Sequence, residues 1–128
     1  MFFRTNDPVV TQLVDAGLAR TVANRLSDGG TLLQLDEGAR LCTKGELGRQ
    51  AFLLVAGEAT VHTADGDITV GPGEVIGELA ALDRSRRRNA DVVATSPVSV
   101  LVFDLGAFWS LANTKDLHAV LAPDRAAA

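Results

Sequence analysis

Glycine at positions 38, 45, 48, 57, 66, 71 and 73 cuts the middle of this 128-residue chain into runs too short for ordinary helices. Helices in globular proteins average about three turns, whereas strands of about five residues are common, so the spacing favours β structure. The runs between the glycines are themselves β-prone: 31–35, 40–42, 52–55, 59–63 and 68–70, with 88–94 and 98–103 after them. Asp65-Gly66, between two of these runs, is a hairpin signal. Many short strands separated by regular turns predict a roll or barrel rather than a parallel sheet.

The two ends read as helices. Asp7 before Pro8 is a helix N-cap followed by proline at the first helical position, and Val9, Val10, Leu13 and Val14 then recur at helical spacing. Gly17 interrupts that pattern, 18–26 resumes it, and Ser27-Asp28-Gly29-Gly30 stops it. Beyond the last strand, 105–112 carries Phe108 and Trp109 and is expected to pack on the strands, with a second short helix over 115–121 and frayed residues at 125–128. The fold class is therefore mainly β with flanking helices. A single domain is expected over 1–128: helical over 1–30, β-roll over 31–103, and helical over 104–128.

Composition narrows the function classes. Hydrophobic residues at 47% and charged residues at 22% place the chain among ordinary globular proteins. No apolar run approaches the roughly 20 residues of a membrane span, and the start lacks the apolar core of a signal peptide, so a cytoplasmic location is expected. Cys42 is the sole cysteine, and His62 and His118 are far apart, which points away from a disulfide and from a metal cluster. A small metal-dependent cupin enzyme, suggested by Pro72-Gly73-Glu74, would need more histidines, so the chain is not expected to be an enzyme. The net charge of −4 argues against general nucleic-acid binding. Against that acidic background, Arg84, Arg86, Arg87 and Arg88 stand within five positions; by itself such a run is usually a solvated loop.

The segment over 71–90 breaks the strand pattern. Gly77 permits close backbone approach at a turn, and the helix formers of 78–82 predict a short helix beginning there. A helix start is an anion site, and Arg88 adds a charged donor fork that matches two phosphate oxygens. Glu78 would repel a phosphate, so its useful partner is a neutral hydroxyl such as a ribose 2'-OH. An anion with a neighbouring hydroxyl describes a nucleotide. The residues alone fit equally well a helix-capping Glu78 and an Arg88 that is one more surface charge.

Over about 33–109 the chain resembles the cyclic-nucleotide-binding domain family of bacterial transcription activators, kinase regulatory subunits and gated channels. The resemblance rests on Leu35-Asp36-Glu37-Gly38-Ala39-Arg40-Leu41, on Lys44-Gly45-Glu46, and on the run from Phe52 through Gly57 to Val61. It continues through Gly71-Pro72-Gly73-Glu74 and Ile76-Gly77-Glu78-Leu79-Ala80, closing on Arg88-Asn89-Ala90. It implies a double-stranded β-helix, jelly-roll-like, with a phosphate-binding cassette over 77–90, and a cyclic nucleotide ligand, cAMP before cGMP, with no other cofactor. It further implies that Glu78 accepts the ribose 2'-OH and that Arg88 pairs with the cyclic phosphate. Backbone N–H groups near Leu79, Ala80 and Ala90 would complete the cradle, with Val61 and Leu79 along sugar and base. Taken singly, such apolar residues are more often plain core.

Two positions depart from the family pattern: Arg87 stands where proline is frequent, and Asn89 where serine or threonine is usual. Both charged anchors remain, and the Asn89 amide can still donate to a phosphate oxygen or a purine edge. Only 19 residues follow Trp109, too few for a DNA-reading domain. The rival reading is a roll that binds no nucleotide and serves as an interaction or dimerisation module. The apolar residues Leu105, Phe108, Trp109, Leu111, Leu117, Val120 and Leu121 point to a homodimer, or to an effector protein, as partner.

Overall fold

In the computed structural model, residues 7–77, 87–112, 114 and 117 are described. Two helices, α1 (Pro8–Asp15) and α2 (Arg20–Gly29), precede eight strands: β1 (Thr31–Leu35), β2 (Arg40–Cys42), β3 (Gln50–Ala56), β4 (Ala59–Thr63), β5 (Gly66–Val70), β6 (Val75–Ile76), β7 (Asp91–Ala94) and β8 (Val98–Asp104). A third helix, α3 (Leu105–Ala112), follows. The strands form two four-stranded sheets, ordered β1-β8-β3-β6 and β2-β7-β4-β5, with antiparallel pairing throughout.

The local signals act as expected at the start. The Asp7 carboxylate accepts the Val9 N–H at 2.9 Å, and Pro8 sits in the first turn. The apolar spacing puts Val9, Val10 and Leu13 on the buried face of α1. Between the helices, Gly17 takes φ +108, so α1 ends at Asp15 and α2 starts only at Arg20, two residues later than the sequence pattern predicts. The Asp65-Gly66 hairpin also forms, but Thr63 faces Gly66 in the register, so Ala64 and Asp65 make the loop and Gly66 opens β5.

Strands β3 and β8 are buried on both faces, which explains why 51–56 reads as an unbroken apolar run instead of an alternation. On one side, Ala51, Leu53, Val55, Leu101 and Phe103 pack with Val10, Leu13, Leu26 and Phe108 of the helices. On the other side, Phe52, Leu54, Val98 and Val100 meet Val61, Val70, Val92 and Ala94 across the inter-sheet space. Cys42 is a small buried member of that second core, as its strand position predicts. A register shift between Leu54 and Ala56 bends β3. Immediately after it, Gly57 is held at φ +89, where an added Cβ would collide with the Pro97 carbonyl oxygen.

Part of the C-terminal apolar set packs within the chain. Phe108 and Leu117 are fully buried in the helix-side core and Leu111 packs against it, leaving Trp109 exposed. Val120, Leu121 and the Leu105 side chain lie outside the described residues, as do the short helix expected at 78–82 and most of the one expected over 115–121. No described helix is long and apolar enough to cross a membrane.

Two outcomes follow from this packing. Phe103→Ala should lower unfolding free energy by about 3–5 kcal/mol through transfer and cavity costs, whereas Leu32→Ala, at 45% exposed on edge strand β1, should cost less than about 1 kcal/mol, both read from urea denaturation. The second outcome concerns pH. The Asp91 carboxylate accepts the Lys44 N–H at 2.8 Å and pairs with Arg40 at 3.1 Å, which holds its carboxyl below the usual value, the amide bond contributing most. A carboxyl lowered in the folded state stabilises above its unfolded pKa, and that contribution fades as pH falls through the folded value. Asp91→Asn should therefore flatten the loss of stability below about pH 4, measured by denaturation midpoints across an acid series.

Candidate functional site

The site is organised by a tight turn. At 71–74 the Glu74 carboxylate accepts the Gly71 N–H at 2.7 Å, while the Glu74 N–H donates to the Gly71 carbonyl at 3.2 Å. The turn docks on β3 through Gly73 N–H to Leu54 O at 2.8 Å and Leu54 N–H to Glu74 O at 3.0 Å. This fixes β6 in register with β3, with Phe52 facing Ile76, so the chain leaves β6 at Gly77 beside the beginning of β3. Strand β6 was not expected from sequence. Two residues are too few to show a period, and only the docked turn makes them a strand.

Arg88 arrives from the other sheet. Its backbone is fixed on the β2–β3 loop by Gly45 N–H to Arg88 O at 2.9 Å and Arg88 N–H to Glu46 O at 2.7 Å. Its side chain then crosses to the first sheet, where Nη1 donates to Gly77 O at 3.0 Å and Nη2 donates to Gln50 O at 2.6 Å. The guanidinium thus ties the ends of β3 and β6 to the approach to β7. Arg88 is 6% exposed and is the only buried charged residue among those described. Gly77, at φ +81, lies so close that any Cβ there would overlap the guanidinium, so both conformation and space require glycine.

The electrostatics of this arrangement are incomplete. A buried charge is costly unless paired, and a guanidinium carries five N–H donors. Both acceptors of Arg88 are neutral carbonyls, and no carboxylate among the described residues pairs with it. Several donors and the full positive charge remain available to an anion at this position.

Exposure alternates from Arg87 to Ala90: Arg87 and Asn89 are exposed, Arg88 and Ala90 buried. This is the two-residue period of extended chain and separates Arg88 from the rest of the arginine run. The strand expected at 88–94 begins only at Asp91, because Arg87 and Arg88 pair with the β2–β3 loop and not with β4. Arg87 also makes a specific contact not expected of a solvated run, donating from Nη1 to Gly45 O at 2.9 Å. Val61 and Ala90 are both buried in the inter-sheet core, and Val61 pairs with Ile68 and Val92 across β4. Glu78, Leu79, Ala80, Arg84 and Arg86 lie outside the described residues. Sequence reasoning missed the two acceptors of Arg88, since a backbone carbonyl has no residue signature; Lys44-Gly45-Glu46 entered only as part of the family resemblance.

Comparison with known proteins places this geometry in a family. The chain is 33% identical over 93 residues to the Pycsar effector protein PaPycTIR of Pseudomonas aeruginosa, covering 72% of this chain and 30% of that protein. It is 42% identical over 64 residues to a cyclic nucleotide-gated potassium channel of Rhizobium etli, covering 50% of this chain and 18% of the channel. It therefore spans less than a third of either relative. Among solved structures, the Thermus thermophilus catabolite activator protein superposes with a TM-score of 0.67 at 24% identity, over 91% of this chain and 57% of that one. The PKAR CBD2 structure with Sp-2Cl-cAMPS bound gives 0.65 at 23% identity, over 81% and 71%. At these identities the superpositions establish the shared β-roll. With residues 32–115 matching the cyclic nucleotide-binding domain model, the chain belongs to the cyclic nucleotide-binding domain family.

Proposed function

We propose that this chain is a regulatory module that binds a cyclic mononucleotide, cAMP in preference to cGMP, through the cassette over 77–90. The observation that carries this reading is the buried Arg88 guanidinium, preorganised by Gly77 O and Gln50 O and lacking a described counter-charge. A cyclic phosphate supplies that charge and accepts the donors left over. Preorganisation matters because the arginine is already desolvated and its rotamer fixed, so binding loses little side-chain entropy. Glu78 then accepts the ribose 2'-OH, and the N–H groups of Leu79, Ala80 and Ala90 close around the phosphate. Val61 lies along the sugar and base, and Asn89, exposed beside Arg88, can reach a phosphate oxygen or a purine edge.

Occupancy is read out as a population shift: the nucleotide favours whichever arrangement of cassette and terminal helices holds it better. Helix α3 follows β8 directly and packs on the same two-faced strands, so a change at the cassette reaches it through β3 and β8. The output would be a homodimer contact or an effector protein. A second reading has its own support, because Arg88 ties β3 and β6 to the approach to β7 through backbone carbonyls. In that reading the arginine is structural and the roll an interaction module.

Thermal denaturation with and without each nucleotide separates the two readings. At a hundred times its dissociation constant, a ligand of the folded state adds about 2.7 kcal/mol, so a clear upward shift with cAMP, smaller with cGMP at equal concentration, is expected. No shift with either nucleotide would overturn the proposal. In calorimetric titrations, Arg88→Ala should weaken binding roughly tenfold to a few hundredfold, consistent with about 1.5–3 kcal/mol for a charge-assisted hydrogen bond. Arg88→Lys keeps the charge but loses the fork and should fall between wild type and alanine. Glu78→Ala should cost less than Arg88→Ala, and Arg86→Ala should matter little and fade with salt.

A further inference from the structure

A cavity of about 240 Å³ opens between β2 and the β2–β3 loop. Arg40, Thr43, Glu46, Arg49, Gln50 and Arg88 supply its polar walls, and neither Val61 nor Ala90 lines it. Three arginines and one glutamate line it. Arg40 is neutralised by Asp91 at 3.1 Å, but Arg49 makes no hydrogen bond or ion pair with a described residue. The buried Arg88 meets only neutral carbonyls. The cavity therefore holds two uncompensated guanidiniums against Glu46, one of them already desolvated.

We infer that this cavity is a second anion site, distinct from the cyclic-nucleotide cassette, that takes a phosphate group between Arg49 and Arg88. Planar forks from two directions match the several oxygens of a tetrahedral dianion, and the Thr43 hydroxyl adds a neutral donor on the same wall. Arg88 is a fixed element of the site and Arg49, on an exposed loop, an adjustable one. The volume exceeds a bare phosphate ion, so the same chemistry admits inorganic phosphate or a small phosphate monoester. Glu46 sets an upper limit on the charge the cavity attracts and gives a monoester hydroxyl an acceptor. Since Arg88 serves both sites, an anion in the cavity competes for its donors and alters the cassette's hold on its own ligand.

The inference stands whether or not the cassette binds a nucleotide, and its test keeps the two apart. Wild-type protein in phosphate-free buffer is titrated by ³¹P NMR and calorimetry with inorganic phosphate and, separately, with glycerol 3-phosphate. Saturable binding of at least one is expected, and the tighter of the two identifies free phosphate or monoester as the source. Arg49→Gln should weaken that binding tenfold or more, Arg49→Lys less, with thermal midpoints in the absence of ligand unchanged and cyclic AMP titrations retained. Absence of saturable binding in both arms, or equal affinity in wild type and Arg49→Gln, would overturn the inference. Loss of cyclic AMP binding along with phosphate in Arg49→Gln would make the two sites one and overturn it as well.

Discussion

Strands β3 and β8 each carry two cores at once, and every other element takes its position from that pair. Their odd-numbered residues, from Ala51 and Leu53 to Leu101 and Phe103, meet the helices, while Phe52, Leu54, Val98 and Val100 meet the second sheet. A strand apolar on both faces must be covered on both, so the flanking helices are as necessary to the roll as its own second sheet. For the same reason a displacement of β3 cannot stay local. The strand's start carries the Gln50 carbonyl of the candidate site, its middle anchors the 71–74 turn, and its helix-side face supports α1 and α3.

Arg88 stands where this packing leaves off. The hydrophobic ladder holding β6 beside β3 is only two residues long, too short to fix the chain that continues at Gly77. The guanidinium supplies the missing connection from the opposite sheet, grasping Gly77 O and Gln50 O while its own backbone is paired with Gly45 and Glu46. A charge in this position does two things an apolar side chain could not. It satisfies carbonyls at the end of a strand pair, and it keeps an unneutralised cation in a water-poor setting, where its interaction with an anion is worth far more than at the surface. The chemistry that braces the strand ends is the same chemistry that an anion receptor uses.

Much of this was legible in the residues. Glycine spacing marked the strands, Asp7-Pro8 marked the first helix, and the unbroken apolar run at 51–56 is what a doubly buried strand looks like. Arg88 could be singled out from its neighbours through the cassette pattern, and its burial agrees with the alternation that begins at Arg87. What the residues did not show was anything that depends on a carbonyl. The short β6, the late start of β7 and both acceptors of Arg88 arise from backbone groups brought together by the docked turn and the β2–β3 loop. The C-terminal apolar residues were open to two readings. Their spacing fits a partner's surface and the chain's own β-sheet equally, and the sheet claims Phe108, Leu111 and Leu117.

Arg49 shows how loop geometry can redirect an ionic site. Gln50 presents its carbonyl to Arg88, and Arg49 beside it lines the cavity that Arg88 also lines. A carboxylate at that position would neutralise Arg88. A guanidinium instead raises the positive potential around Arg88. The bonds to Gly77 O and Gln50 O are then the means by which two like charges can be tolerated around one small cavity. Their strength sets how firmly the guanidinium is held at the ends of β3 and β6.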